Sequence, residues 1–238
     1  MSTYLSLVTD FLMETALSGG GAPSTIAGLT GDQAKAAYWV KQADLQIQRE
    51  WINWDFLWAR ATSIALTSGS EIVPGVLEAT VPIINLLKRR TLAIMQSDGT
   101  AHFPVFQDWN NSDFAELWTY ETQAASDLPS YWSMRPDRTI VLSSPIETTG
   151  RTAVYDYFRK PKTLVLDLDV SLIPDDFTRL AVVGAKIMYA EHEDAPEVDA
   201  GSHEEYDFVL KEMEAVHLPD QGFNRESHSD ADLVVTPE

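Results

Sequence analysis

A chain of 238 residues with 45% apolar and 22% charged side chains, twelve glycines and twelve prolines has the make-up of a folded globular protein. That excludes collagen-like, low-complexity and wholly disordered classes, and the absence of cysteine removes disulfide frameworks, thiolate zinc sites and cysteine nucleophiles. Asp and Glu number 36 against 17 Lys and Arg, a net charge of −19, which argues against a basic nucleic-acid-binding surface.

The opening residues MSTYLSLVTD carry no basic region and reach Asp10 early, so they do not read as a secretory signal. The uncharged run from Thr15 to Gly31 is too rich in Gly, Ser and Thr to span a bilayer. The expectation is a protein with no membrane partner. Residues 3–17 place Tyr4, Leu5, Val8, Phe11, Leu12 and Ala16 on one 3.6-period stripe that ends at Gly19-Gly20-Gly21, which predicts a short helix. A second helix is predicted over residues 32–58, where Ala36, Val40, Ala43, Ile47, Trp51, Trp54 and Trp58 recur at steps of three and four. Four tryptophans, Trp39, Trp51, Trp54 and Trp58, fall within it, and the last three are candidates for subunit packing. A core position for Trp51 implies a cost of about 3–5 kcal/mol for its replacement by alanine.

From about residue 60 to 158 the period changes from 3.6 to 2, predicting a β-rich insertion. RTLAIMQ and AHFPVF flank Ser97-Asp98-Gly99-Thr100 and read as a hairpin, because Asp-Gly accepts the positive φ angles that tight turns need. Residues 112–122 look helical, and residues 131–134, 139–142 and 153–158 look like strands. Further helices are predicted over 175–193, after Pro174, and over 202–217, where Tyr206, Val209, Leu210, Met213 and Val216 share a face. Residues 219–238 are polar and aperiodic apart from Phe223 and the apolar Leu233, Val234 and Val235, and read as an extended tail that docks on another chain. The fold class is thus α+β. One domain spans 1–218, with helical parts at 1–58 and 170–218 and a β-rich part at 60–160; the tail follows.

Signatures of chemistry are sparse. The glycine run 19–21 lacks the Lys and spacing of a phosphate loop, and no G-x-S-x-G or H-E-x-x-H occurs. His192, Glu193, Asp194, Glu197 and Asp199 cluster at a helix end, where a solvated turn accounts for them better than a cation site. Asp167 and Asp169 alternate with Leu166, Leu168 and Val170, as carboxylates facing one way from an edge strand do. Lys88-Arg89-Arg90 is the one basic triplet and suits salt bridges on an acidic chain. No catalytic residue, cofactor or metal is expected.

Three stretches in order carry a resemblance. TIAGLTGDQAKAAYWVKQADLQIQREWINWDFL contains W-x-x-W-x-F-L; LPSYWSMRPDRTIVLSSPIETTGRTAVYDYFRKPKTL reads strand, turn, strand; IPDDFTRLAVVGAKIMYAEHED is followed by HEEYDFVLKEM, a closing helical pair. Together they cover about half of the chain and resemble the head-to-tail adaptor, or connector, proteins of tailed bacteriophages. The resemblance implies a virion component at the head-tail junction, made in the bacterial host cytoplasm, and a homo-oligomer arranged as a dodecameric ring around the DNA channel. It implies portal protein on one side, tail tube, nozzle or fibre proteins on the other, and no enzymatic activity or specific nucleic-acid binding. The alternative from the residues alone is a carbohydrate-binding or hydrolytic tail module that uses Trp109, Trp118 or Trp132 with the Asp167 and Asp169 pair.

Overall fold

The structure is a computed structural model and describes residues 2–17, 21–51, 53–74, 77–78, 81–82, 85–87, 92–109, 125–126, 128–137, 139–195 and 201–218. These form two compact units, one helical, from the described residues of 1–57 and 161–218, and one β-rich, from those of 58–160. Helices and sheets segregate as the change of period predicts, so the fold is α+β. No described helix is long and apolar enough to cross a membrane.

The helical unit has four described α-helices: α1 (Tyr4–Thr15), α2 (Gly31–Glu50), α3 (Arg179–Glu193) and α4 (Ser202–His217). Thr3 caps α1, its hydroxyl accepting from the Ser6 N–H at 3.2 Å. The predicted stripe then buries Tyr4, Val8, Phe11 and Leu12. The Tyr4 hydroxyl donates to the Ala37 carbonyl of α2 at 2.6 Å, and burial pushes its pKa up to about 12. Helix α3 packs against α1, α2 and α4. Gly184 in α3 is what lets three helices meet: a Cβ there would lie 3.1 Å from the Tyr206 ring of α4 and 3.3 Å from the Ala43 Cβ of α2. Asp175–Phe177 forms a 3-10 turn before α3, so the helix predicted over 175–193 starts as a tighter coil.

Helix α2 ends at Glu50, not at 58. Trp51 is already extended, with φ −129° and ψ 131°; Asp55–Leu57 is a 3-10 turn and Trp58 opens a strand. Of the four tryptophans placed in this helix by their spacing, only Trp39 lies in it. The physical cause is local. Residues 51–58, WINWDFLW, are aromatic, β-branched or Asx apart from Leu57, and such residues are weak helix formers. The chain folds back so that the Trp54 indole N–H donates to the Ile47 carbonyl at 3.1 Å, satisfying an acceptor that the helix end exposes.

In the β-rich unit, β1 (Trp58–Ala65) runs antiparallel to β11 (Thr152–Phe158), with Trp58 opposite Phe158 and Arg60 opposite Asp156. The Arg60 guanidinium grips Asp156 bidentately, at 2.7 and 3.2 Å. A bulge interrupts β1 between Ala61 and Ile64, where Ser63 has φ 60°. Beyond β11 lie β6 (Ala93–Met95) and β7 (Ala101–His102), while β5 (Asn85–Leu87) also pairs with β11. A second sheet orders β2 (Ile72–Val73), β10 (Ile140–Leu142), β9 (Tyr131–Met134) and β8 (Val105–Phe106). The short β3 (Leu77–Glu78) and β4 (Val81–Pro82) pair with each other. The unit's core gathers Leu92, Ile94, Trp132, Leu142, Ile146 and Tyr155.

The predicted β6–β7 hairpin is present, with a three-residue loop. Gly99 N–H donates to the Gln96 carbonyl at 3.0 Å, Gln96 N–H to the Thr100 carbonyl at 2.8 Å, and Gly99 takes φ 86°. AHFPVF is not one strand. It breaks at Phe103-Pro104, and β8 joins the second sheet, parallel to β9. The helical reading of 112–122, Lys88-Arg89-Arg90 and the whole of 219–238 lie outside the described residues.

Candidate interaction surfaces

The three tryptophans assigned to subunit packing separate into three environments. Trp54 is fully buried and its ring stacks on Phe56 with centroids 5.3 Å apart. Trp51 is half-buried, and its indole N–H donates to the Glu214 carboxylate of α4 at 2.8 Å. That corrects the core position expected for Trp51: the side chain ties the end of α2 to α4 at the rim. Trp58 is 42% exposed, with the Arg60 guanidinium 5.8 Å from its ring centroid. Phe223, Leu233, Val234 and Val235 lie outside the described residues.

Two faces of the helical unit stand out. Between α2 and α3 runs a groove of about 470 Å³, lined by Tyr38, Trp39, Gln42, Gln46 and Arg49 from α2 and Met188 from α3. Leu45 and Glu50 complete its lining. Lys41 reaches over the outer Tyr38 ring, its Nζ 5.9 Å from the centroid. The second face belongs to α4. Ser202 and Met213 are buried, Tyr206 lies over Gly184, and His217 is held edge-on by Phe56 and Phe177 while its Nδ1 lies 2.7 Å from the Asp55 carboxylate. Phe208 and Val216 are each 64% exposed, so Val216 does not share the inward face predicted for it. The sequence pattern passed over Phe208, which stands off the stripe amid charged neighbours.

The segment that returns the chain to α3 is anchored by a buried polar cluster. Asp44 and Gln48, one turn apart on α2, are both fully buried. The Asp44 carboxylate accepts from Gln48 at 2.6 Å and from the Ser171 hydroxyl; Gln48 in turn accepts the Lys162 N–H at 2.8 Å and donates to the Lys162 carbonyl at 3.2 Å. Burial is the largest influence on Asp44 and raises its pKa to about 6, against the lowering effect of Ser171, Gln48 and the Lys162 ammonium.

Asp167 and Asp169 occupy a turn in this segment, not an edge strand. Asp167 accepts the Ile26 N–H at 2.7 Å, and Asp169 accepts the Val165 and Leu166 N–H groups at 2.7 Å each. These backbone donors hold both carboxyls below the usual range, as anions fixed to structure. Alternating apolar and acidic residues mimic a strand, but Asp169 closes the loop on itself and Asp167 ties it to the segment before α2. The tryptophans of the alternative sugar site fall in different surroundings. Trp132 is 1% exposed and packs edge-on against Phe106, Trp109 lies 5.3 Å from the Arg135 guanidinium, and Trp118 is outside the described residues. At the end of α3, Glu193 accepts from Lys35 at 2.7 Å and lies 3.1 Å from His192 Nδ1; the Lys35 bond first of all keeps its carboxyl low. Among the described residues no group of three His, Asp or Glu is placed to hold a metal ion. Arg179 is engaged by Glu14 at 2.7 Å and by Glu205, an exposed network joining α1, α3 and α4.

Comparison with known families places the chain in the class of phage head-to-tail adaptors, as the three stretches led one to expect; the match runs over residues 2–224. The chain belongs to the SU10 adaptor protein family. No curated protein matches it.

Proposed function

We propose that this adaptor forms a closed ring, a dodecamer, which joins the portal of a tailed phage head to the tail around the DNA channel. Membership of the adaptor family over nearly the whole chain is the observation that carries the reading. The work is structural: one heterologous contact repeated by rotation closes into a ring, and each subunit's hold on portal or tail is multiplied by its neighbours. No bond is made or broken and no cofactor is called for. The expected partners are the portal protein on one side and tail tube, nozzle or fibre proteins on the other, with the subunit made in the host cytoplasm and ending in the virion.

The tail 219–238, through Phe223, Leu233, Val234 and Val235, is the proposed docking arm onto portal or neighbour; an extended segment adds affinity through backbone hydrogen bonds and side chains in pockets. Negative-stain images of the purified chain, alone and with portal-bearing heads, test the reading: rings support it, and a glycan-binding monomer overturns it. Truncation from Gln221 onward is expected to leave the melting temperature unchanged and to weaken head attachment. Truncated rings that hold heads as tightly as the full chain would remove the docking-arm assignment.

Net charge of −19 also has a consequence for the DNA path. A conduit gains from repelling phosphate, since Lys and Arg contacts bind it tightly through counterion release. The subunit is expected to show no retention of duplex DNA at micromolar concentration in low salt; salt-dependent binding tighter than that contradicts a repulsive channel.

A further inference from the structure

We propose that the groove between α2 and α3 seats α4 of a second copy of this chain, with Phe208 as the anchoring side chain. The inference rests on the ring reading above and names the contact that would repeat. Phe208 cannot fill the groove of its own subunit. The inward face of α4 is committed to α3, with Tyr206 over Gly184 and Met213 buried, and this leaves Phe208 on the outer side at 64% exposure. Glu204 and Glu212 lie one turn before and one turn after it, and Lys211 adjoins it. The outer stripe of α4 is thus an aromatic knob bracketed by carboxylates.

The groove has the complementary make-up. Tyr38, Trp39 and Met188 supply the apolar part of its lining, a surface suited to an aromatic guest, beside the amides of Gln42 and Gln46. Its charged lining residues are Arg49 and Glu50, both exposed, so the cation can meet Glu204 or Glu212 and the acid has Lys211 for a partner. On a chain whose copies repel by their net charge, a local reversal of this kind selects one docking geometry among many. Knob and groove are formed by different helices of the same compact unit, α4 for the one and α2 with α3 for the other, so each copy can give its knob to one neighbour and its groove to the other. Such a contact is heterologous, the type that closes into rings.

Mass photometry and negative-stain imaging of the full chain, alone and on portal-bearing heads, provide the test. Phe208→Ser and Arg49→Glu each are expected to raise the concentration needed for assembly about 30-fold or more, as loss of an interface hot spot does, without moving the monomer's melting temperature. Phe208→Tyr retains assembly. An equimolar mixture of the Phe208→Ser and Arg49→Glu variants is expected to give a one-to-one complex that grows no further, because each supplies the surface that the other lacks. If both variants form rings as the wild type does, the contact is wrong and the ring reading stands. Variants that form rings but lose the head identify the groove's occupant as a portal segment and overturn the second-copy assignment. A wild-type chain that gives no higher species under either condition removes the ring reading, and this contact with it.

Discussion

Trp54→Ala is expected to cost about 3–5 kcal/mol of folding stability, the largest loss from any single tryptophan in the helical unit. Its side chain is fully buried, stacks on Phe56 and supplies the N–H that closes the Ile47 carbonyl at the end of α2. Alanine leaves a cavity and strips a partner from a buried acceptor, and the two penalties add. Trp51→Ala is expected to cost only about 1–2 kcal/mol, since that ring is half in water and loses mainly its bond to Glu214. Urea unfolding of both variants checks the ranking through the midpoint, with m unchanged. Equal losses at the two positions would show that the end of α2 is packed differently.

The second large effect is a pH dependence removed by Asp44→Asn. Burial holds the Asp44 pKa at about 6 in the fold, whereas in the unfolded chain it is near 3.8. As pH rises from about 4 to about 6 the unfolded state releases this proton while the native state still binds it, so stability falls across that window. A shift of about two units corresponds to about 3 kcal/mol, at 1.36 kcal/mol per unit, and the whole loss is present by pH 7. The carboxyls of Asp98, Asp137, Asp167, Asp169, Asp175 and Glu193 are shifted downward, and their stabilisation is lost only on further acidification. Those windows lie below that of Asp44, and Asp10, whose pKa burial also raises, is common to wild type and variant and drops out of the comparison. Asparagine keeps the shape, accepts from Gln48 and donates to the Ser171 hydroxyl. The variant is expected to gain on the wild type as pH rises from about 4 to about 6 and to keep that gain at pH 7; parallel stability curves across that range would refute the assignment.

Local rules were enough for much of this chain. The stripes of α1 and α4 and the Asp98-Gly99 bend are each written within fifteen or so neighbouring residues, and side-chain period or turn chemistry reveals them. The end of α2 is different, because a spacing of three and four in WINWDFLW is met equally by a helix and by a chain that doubles back beneath one. What decides is the weak helix preference of most of these residues together with the Ile47 carbonyl accepting from Trp54, a local side-chain bond invisible to periodicity. AHFPVF looks continuous until Pro104 sends its halves to different sheets. Of the surfaces, the groove joins residues about 140 positions apart and leaves no trace in either helix alone. Two signals were nonetheless available: Asp44 and Gln48 stand one turn apart inside an apolar stripe, and Phe208 stands outside one.

The β-rich unit spans residues 58–160, and Trp58 and Phe158, close to its two ends, are paired neighbours across β1 and β11. Its entrance and exit are thus a single doorway, about 5 Å across. Everything between can grow, shrink or be rebuilt while the bundle sees the same pair of chain ends arriving at the same separation.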